Sequence, residues 1–142
     1  MSANDPFSLL TRLKTHMVNH SGGTLYEHLV GTYKLLKERG FEEYVCLAGL
    51  YHSIYGTQVF KYQTTHDRDT IKATIGEDAE NLVWLFCNVD RNKIWDSFEQ
   101  NNFCLLNGDT VGMSDQEFND LYAIIEANRD EQSNKKAVDR NR

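Results

Sequence analysis

The chain has 142 residues, the size of one domain that can bury its own core without disulfide or metal staples. Apolar residues make up 40% and charged residues 25%, an ordinary globular composition, and a single proline leaves few helix breakers. The formal net charge of -6 argues against nonspecific binding to a nucleic acid backbone or an anionic membrane, although a cleft on an acidic protein can be locally basic.

Asp5-Pro6 reads as a helix start, and Leu10, Leu13 and Met17 continue at helical spacing to about Val18. His20-Ser21-Gly22-Gly23 breaks that helix. Thr24 and Glu27 form a capping box that opens a second helix, with Leu25, Leu29 and Leu36 inward and Gly40 closing it. A third helix, about Glu42 to Ser53, is apolar nearly all round and therefore central, with Ala48 and Gly49 allowing a close neighbour. Residues 55–66 lack clean periodicity and read as a loop or a short broken helix.

A short helix over Asp67 to Ile75 is separated by Gly76 from one over Glu77 to Asn88, and a further helix begins at Asp90. Asn107 through Gly112 is a turn-rich loop. Ser114 and Glu117 form a second capping box before a final helix with Phe118, Leu121, Tyr122 and Ile125 inward. Together these elements predict an all-α bundle of about six to seven helices over residues 1–128. Residues 129–142 read as a polar, disordered tail.

No stretch reads as a signal peptide or a membrane span, so the expected location is cytoplasmic. The three cysteines, Cys46, Cys87 and Cys104, lack zinc-site spacing and read as buried small hydrophobes in a reducing compartment. His16 and His20 read as surface residues. Trp84 and Trp95 read as core or interface aromatics, and any exposed aromatics would favour a homodimer.

Three polar residues interrupt apolar surroundings: His28 on the second helix, His52 at the end of the third, and Asp90 after the run Leu82 to Val89. Brought together, two imidazoles and a carboxylate would make a mixed nitrogen and oxygen site suited to zinc, iron or manganese. Singly, each has a plainer reading, as a hydrogen-bonded core histidine or a helix cap. Lys61, Arg68 and Arg91 could hold a phosphate or carboxylate, while Tyr51, Tyr55, Phe60 and Tyr62 could stack on a planar ligand.

The segment from Gly23-Thr24-Leu25-Tyr26-Glu27-His28 to Leu50-Tyr51-His52-Ser53 resembles the HD-domain superfamily of metal-dependent phosphohydrolases, and within it the branch of guanosine tetraphosphate hydrolases. Ile75-Gly76-Glu77-Asp78 and Asn88-Val89-Asp90-Arg91 resemble two later elements of that family, so the resemblance spans about residues 5 to 100. It implies His28, His52 and Asp90 as metal ligands, with Asp96 and Asp109 as other downstream aspartates for the last position. The chain departs from the pattern where it matters. Ser53 stands where the family has its metal-binding aspartate, and Gly56 and Thr57 stand where a Glu-Asp pair would handle the attacking water.

The resemblance thus implies a metal-dependent hydrolase of a small phosphorylated or nucleotide-like molecule. In it Ser53 and Tyr55 would orient water or substrate, and Thr57, Lys61 and Arg91 would bind the substrate. A non-catalytic ligand-binding or interaction domain is the main alternative. An iron oxygenase using His66 is the third reading, with one histidine where that branch supplies two.

Overall fold

The computed structural model describes residues 5–20, 22–57, 64–65 and 67–140, with side chains described to residue 133. Among them the fold is all-α, with seven α-helices and two small two-stranded hairpins. No helix among the described residues is long and apolar enough to cross a membrane.

Helix α1 (Pro6–Arg12) is capped by Asp5, whose carboxylate accepts from the Phe7 amide at 3.2 Å and the Ser8 hydroxyl at 2.7 Å. It stops short of the expected Val18 because Lys14 adopts a left-handed conformation, φ 64°, and the chain folds into a single tight turn over Thr15–Met17. Buried Thr15 secures that turn by donating its hydroxyl to the Leu10 carbonyl at 3.0 Å. The chain then enters a hairpin of β1 (Asn19–His20) and β2 (Gly23–Thr24), where sequence periodicity indicates only a break. Gly22 supplies the positive φ, 83°, that so short a reversal needs.

Helix α2 (Leu25–Glu38) starts with the expected reciprocal cap between Thr24 and Glu27. Its buried residues Leu25, His28, Leu29, Thr32 and Leu36 repeat every three or four positions and form one inward stripe. His28 sits within that stripe. Helix α3 (Glu43–Tyr51) buries Val45, Cys46, Ala48, Gly49, Leu50 and Tyr51, as an apolar central helix should. A Cβ on Gly49 would collide with Leu36 Cδ1 and come within 3.3 Å of Thr32 Cγ2, so glycine sets how closely α2 and α3 approach. The helix ends at Tyr51, two residues before the expected end at Ser53, and His52 is its C-cap.

Helix α4 (Arg68–Ile75) is capped by Asp67 and lies against α5 (Glu77–Asn88), with Gly76 between them at φ 94°. Helix α5 carries Ala79, Leu82, Val83, Leu85, Phe86 and Cys87 into the core, each large apolar side chain contributing about 1.5–3 kcal/mol on burial. Helix α6 (Ile94–Gln100) follows a short turn over Arg91–Lys93. A hairpin of β3 (Asn102–Cys104) and β4 (Thr110–Gly112) then occupies the stretch around the expected turn-rich loop. Strands of three residues are too short to show alternation in sequence.

Helix α7 (Asp115–Arg140) opens with the expected Ser114–Glu117 capping box, at 3.0 and 3.1 Å. It packs across α2, α3 and α5. It also runs through the expected boundary at residue 128, and Glu131 is tucked against α2. Cys46 and Cys87 are buried and Cys104 is half-buried, all as free thiols.

Candidate metal centre

The stripe of α2 and the end of α3 bring His28 and His52 together in the core, with 0% and 1% of their surfaces exposed. Their Nε2 atoms are 3.1 Å apart. Asn128 of α7 completes a triangle, its Oδ1 lying 2.8 Å from His28 Nε2 and 3.0 Å from His52 Nε2. The outer edge of each ring is held as well. His52 Nδ1 donates to the Gly49 carbonyl at 2.6 Å, and His28 Nδ1 meets the Glu131 carboxylate.

In a neutral ring with Nδ1 donating outward, Nε2 presents a lone pair to the centre. Burial, followed by the proximity of His28, holds the His52 pKa well below the usual histidine range and so keeps that lone pair free of a proton. The two Nε2 atoms and the amide oxygen face one another across a triangle that a proton on one ring, the Asn128 amide turned to present its NH2, or a cation would each hold together. Three donors at about 2.1 Å from one ion would stand about 3.0 Å apart in octahedral directions and about 3.4 Å apart in the tetrahedral directions of a zinc site. The observed edges of 2.8, 3.0 and 3.1 Å lie near the octahedral figure and also within the ordinary range of hydrogen bonds.

Asp90 is not part of this triangle, although the sequence suggests it as the last ligand. Its Oδ1 accepts from the Asn92 amide at 3.1 Å, capping the turn that follows, and its own amide donates to the Cys104 carbonyl at 2.9 Å. Among the described residues no group of three or more His, Cys, Asp or Glu side chains could hold a metal ion, which separates Asp90 from the two histidines. The third corner of the triangle is instead the Asn128 amide.

Ser53 is buried beside His52, and its Oγ has no hydrogen-bond partner among the described residues. Tyr55 donates its hydroxyl to Glu80 Oε2 at 2.9 Å, and Arg68 grips the same buried carboxylate at 2.7 and 2.8 Å. Burial, then the bond to Glu80 and its charge, push the Tyr55 pKa upward, so this hydroxyl is a poor base. The Arg91 guanidinium lies 4.7 Å over the Phe86 ring, and Phe86 in turn meets His52 edge-on at 4.8 Å, which places Arg91 one ring away from the centre. Burial lowers its pKa. Thr57 is buried. Lys61, Phe60, Tyr62 and His66 lie outside the described residues.

Three residues of the site escape the sequence reading. His20, expected at the surface, is 8% exposed and stacks on His28 with ring centroids 4.2 Å apart. It also walls an open cavity of about 520 Å³ lined by Asn19, Gly22, Gly23 and Thr24. Asn128 and Glu131 lie three apart on α7 and therefore share a face. Asn128 follows Leu121, Ile124 and Ile125 at helical spacing. A polar side chain interrupting an inward stripe, the signal that marks His28, marks Asn128 too.

The family described as Domain of unknown function (DUF6817) matches residues 9–91, more than half of the chain. The chain belongs to that family. The matched DUF6817 region contains His20, His28, His52, Ser53 and Arg91 and ends before α6, so Asn128 and Glu131 reach the site from outside it. No curated protein and no solved structure matches the chain.

Proposed function

We propose that this chain is a divergent HD-like domain in which His28, His52 and Asn128 hold one divalent ion (zinc, iron or manganese) to hydrolyse a small phosphorylated or nucleotide-like molecule. The observation that carries the reading is the triangle of two imidazole nitrogens and an amide oxygen with 2.8–3.1 Å edges, lying between α2, α3 and α7. When bound, the ion would supply Lewis acidity toward a phosphoryl oxygen and a water of lowered pKa.

The chain's own residues prepare the site for an anion. Asn128 and Ser53 are uncharged where carboxylates would neutralise a cation, so the centre would keep more positive charge and favour an anionic ligand, at the expense of metal affinity. Arg91, held over Phe86, offers a guanidinium to a phosphate. The Ser53 Oγ beside His52, without a partner among the described residues, has hydrogen-bonding capacity for a ligand atom. Gly49 and Glu131 keep the two imidazoles from rotating.

A second reading, a non-catalytic domain that binds such a ligand, is favoured by one observation. Tyr55 is tied to Glu80, and Gly56 and Thr57 offer no carboxylate to accept a proton from water. Metal-free protein reloaded with zinc, manganese or iron(II), assayed against nucleoside and sugar phosphates beside a His52→Ala variant, separates the two. Metal-dependent phosphate release that His52→Ala abolishes supports the hydrolase. A metal-dependent thermal shift with a phosphorylated ligand but no release supports the binding domain. Absence of metal binding contradicts both.

A further inference from the structure

His28 makes two kinds of contact, through Nε2 toward the centre and through Nδ1 toward Glu131. The second depends on a gap in α2. Gly31 follows His28 by three residues and so shares its face, and a Cβ there would lie 2.9 Å from Glu131 Cγ, 2.9 Å from Oε2 and 3.1 Å from Cδ. The Glu131 side chain thus passes through the space that any other residue at 31 would fill. Along that path a carboxylate from α7 reaches the buried imidazole. Asp130, the preceding residue, docks separately on Arg39 at 2.8 Å.

We propose that Glu131, admitted by Gly31, is a positioning residue that keeps the hydrogen of His28 on Nδ1 and its Nε2 lone pair directed at the centre. Its bearing on metal affinity rests on the metal reading above; its effect on the His28 tautomer does not. An imidazole can carry its hydrogen on either nitrogen, and only the Nδ1–H form presents Nε2 to Asn128 and His52 as a donor atom for a cation. A carboxylate on the outer nitrogen also raises the basicity of the inner one, and removing such a partner typically lowers metal affinity 10–100-fold.

The test uses metal-free full-length chain labelled with 15N-histidine, with tautomers read from two-bond proton–nitrogen correlation spectra at alkaline pH. Zinc affinity is measured in parallel by chelator competition. Wild type should show His28 as a single Nδ1–H tautomer. Glu131→Gln, whose amide oxygen still accepts, should retain that tautomer with a modest loss of zinc affinity. Glu131→Leu and Gly31→Ala should both yield a tautomer mixture and lose zinc affinity about 10–100-fold. Asp130→Asn, which alters the contacts with Arg39 and Arg129 instead, should change neither.

Unchanged Nδ1–H tautomer in Glu131→Leu or Gly31→Ala overturns the proposal. If Glu131→Leu does not fold, Gly31→Ala decides, because it leaves the carboxylate in the chain. If wild type takes up no zinc, the metal reading fails while the tautomer spectra still judge Glu131.

Discussion

Replacing Gly31 by alanine tests the packing of α7 on α2 through a reversal of sign. In an ordinary helix interior glycine to alanine gains about 1 kcal/mol, because alanine loses less backbone entropy. Here the added Cβ stands 2.9 Å from Glu131 Cγ, an inner carbon of that side chain, so the whole side chain must leave its path. The bond lost joins a carboxylate to a buried imidazole nitrogen, a class of contact worth about 1.5–3 kcal/mol. Subtracting the helix gain leaves a net destabilisation of about 0.5–2 kcal/mol for Gly31→Ala.

In a Glu131→Ala background there is no side chain to displace, and the same change should stabilise by about 1 kcal/mol. The coupling energy from urea unfolding of the four proteins should therefore be about 1.5–3 kcal/mol. An equal gain in both backgrounds would refute the reasoning, because Glu131 would then not occupy the path over Gly31.

Three further expectations follow from the packing. Gly49→Ala should cost about 1–3 kcal/mol in urea unfolding, since its Cβ meets Leu36 and Thr32 and overpacks the α2–α3 contact. At Glu80, Arg68→Ala should be the costlier change: it leaves a buried carboxylate with the Tyr55 hydroxyl but no cation and should lose about 1–3 kcal/mol. Glu80→Leu leaves an arginine with 43% of its side chain exposed, which can turn to water, so a larger loss for Glu80→Leu in paired denaturation curves would contradict that ordering.

Tyr44 donates to Asp120 at 2.5 Å, and that bond, with burial and the carboxylate's charge, pushes its pKa up to about 12. The folded state then holds the phenolic proton more tightly than the unfolded state, whose tyrosine titrates near 10. This contribution is complete below pH of about 10 and fades as pH rises toward about 12. Stability curves over that window should flatten in Tyr44→Phe, and an unchanged slope would exclude the bond as the cause.

The helices were legible wherever a cap and a stripe coincided, as at Thr24 with Leu25, Leu29 and Leu36, and again at Ser114 with Phe118 and Leu121. The hairpins were not, because two or three residues per strand carry no period, and the early end of α1 depends on one left-handed lysine. The same polar-in-apolar signal singles out His28, His52 and Asp90, of which the structure brings the first two together. Asp90 follows the apolar run of α5 in sequence but turns away into a cap, whereas Asn128 lies a hundred residues after His28 and reaches it through helix packing. His20 was hidden for a related reason: a four-residue hairpin folds it back onto α2.

The central claim is that His28, His52 and Asn128 form one cation site, and equilibrium dialysis of metal-free protein against zinc tests it most directly. The account predicts one zinc per chain, lost in both His28→Ala and His52→Ala, and held more tightly in Asn128→Asp, which adds a negative charge to the donor set. No saturable zinc in wild type, or equal uptake by the histidine variants, would contradict it.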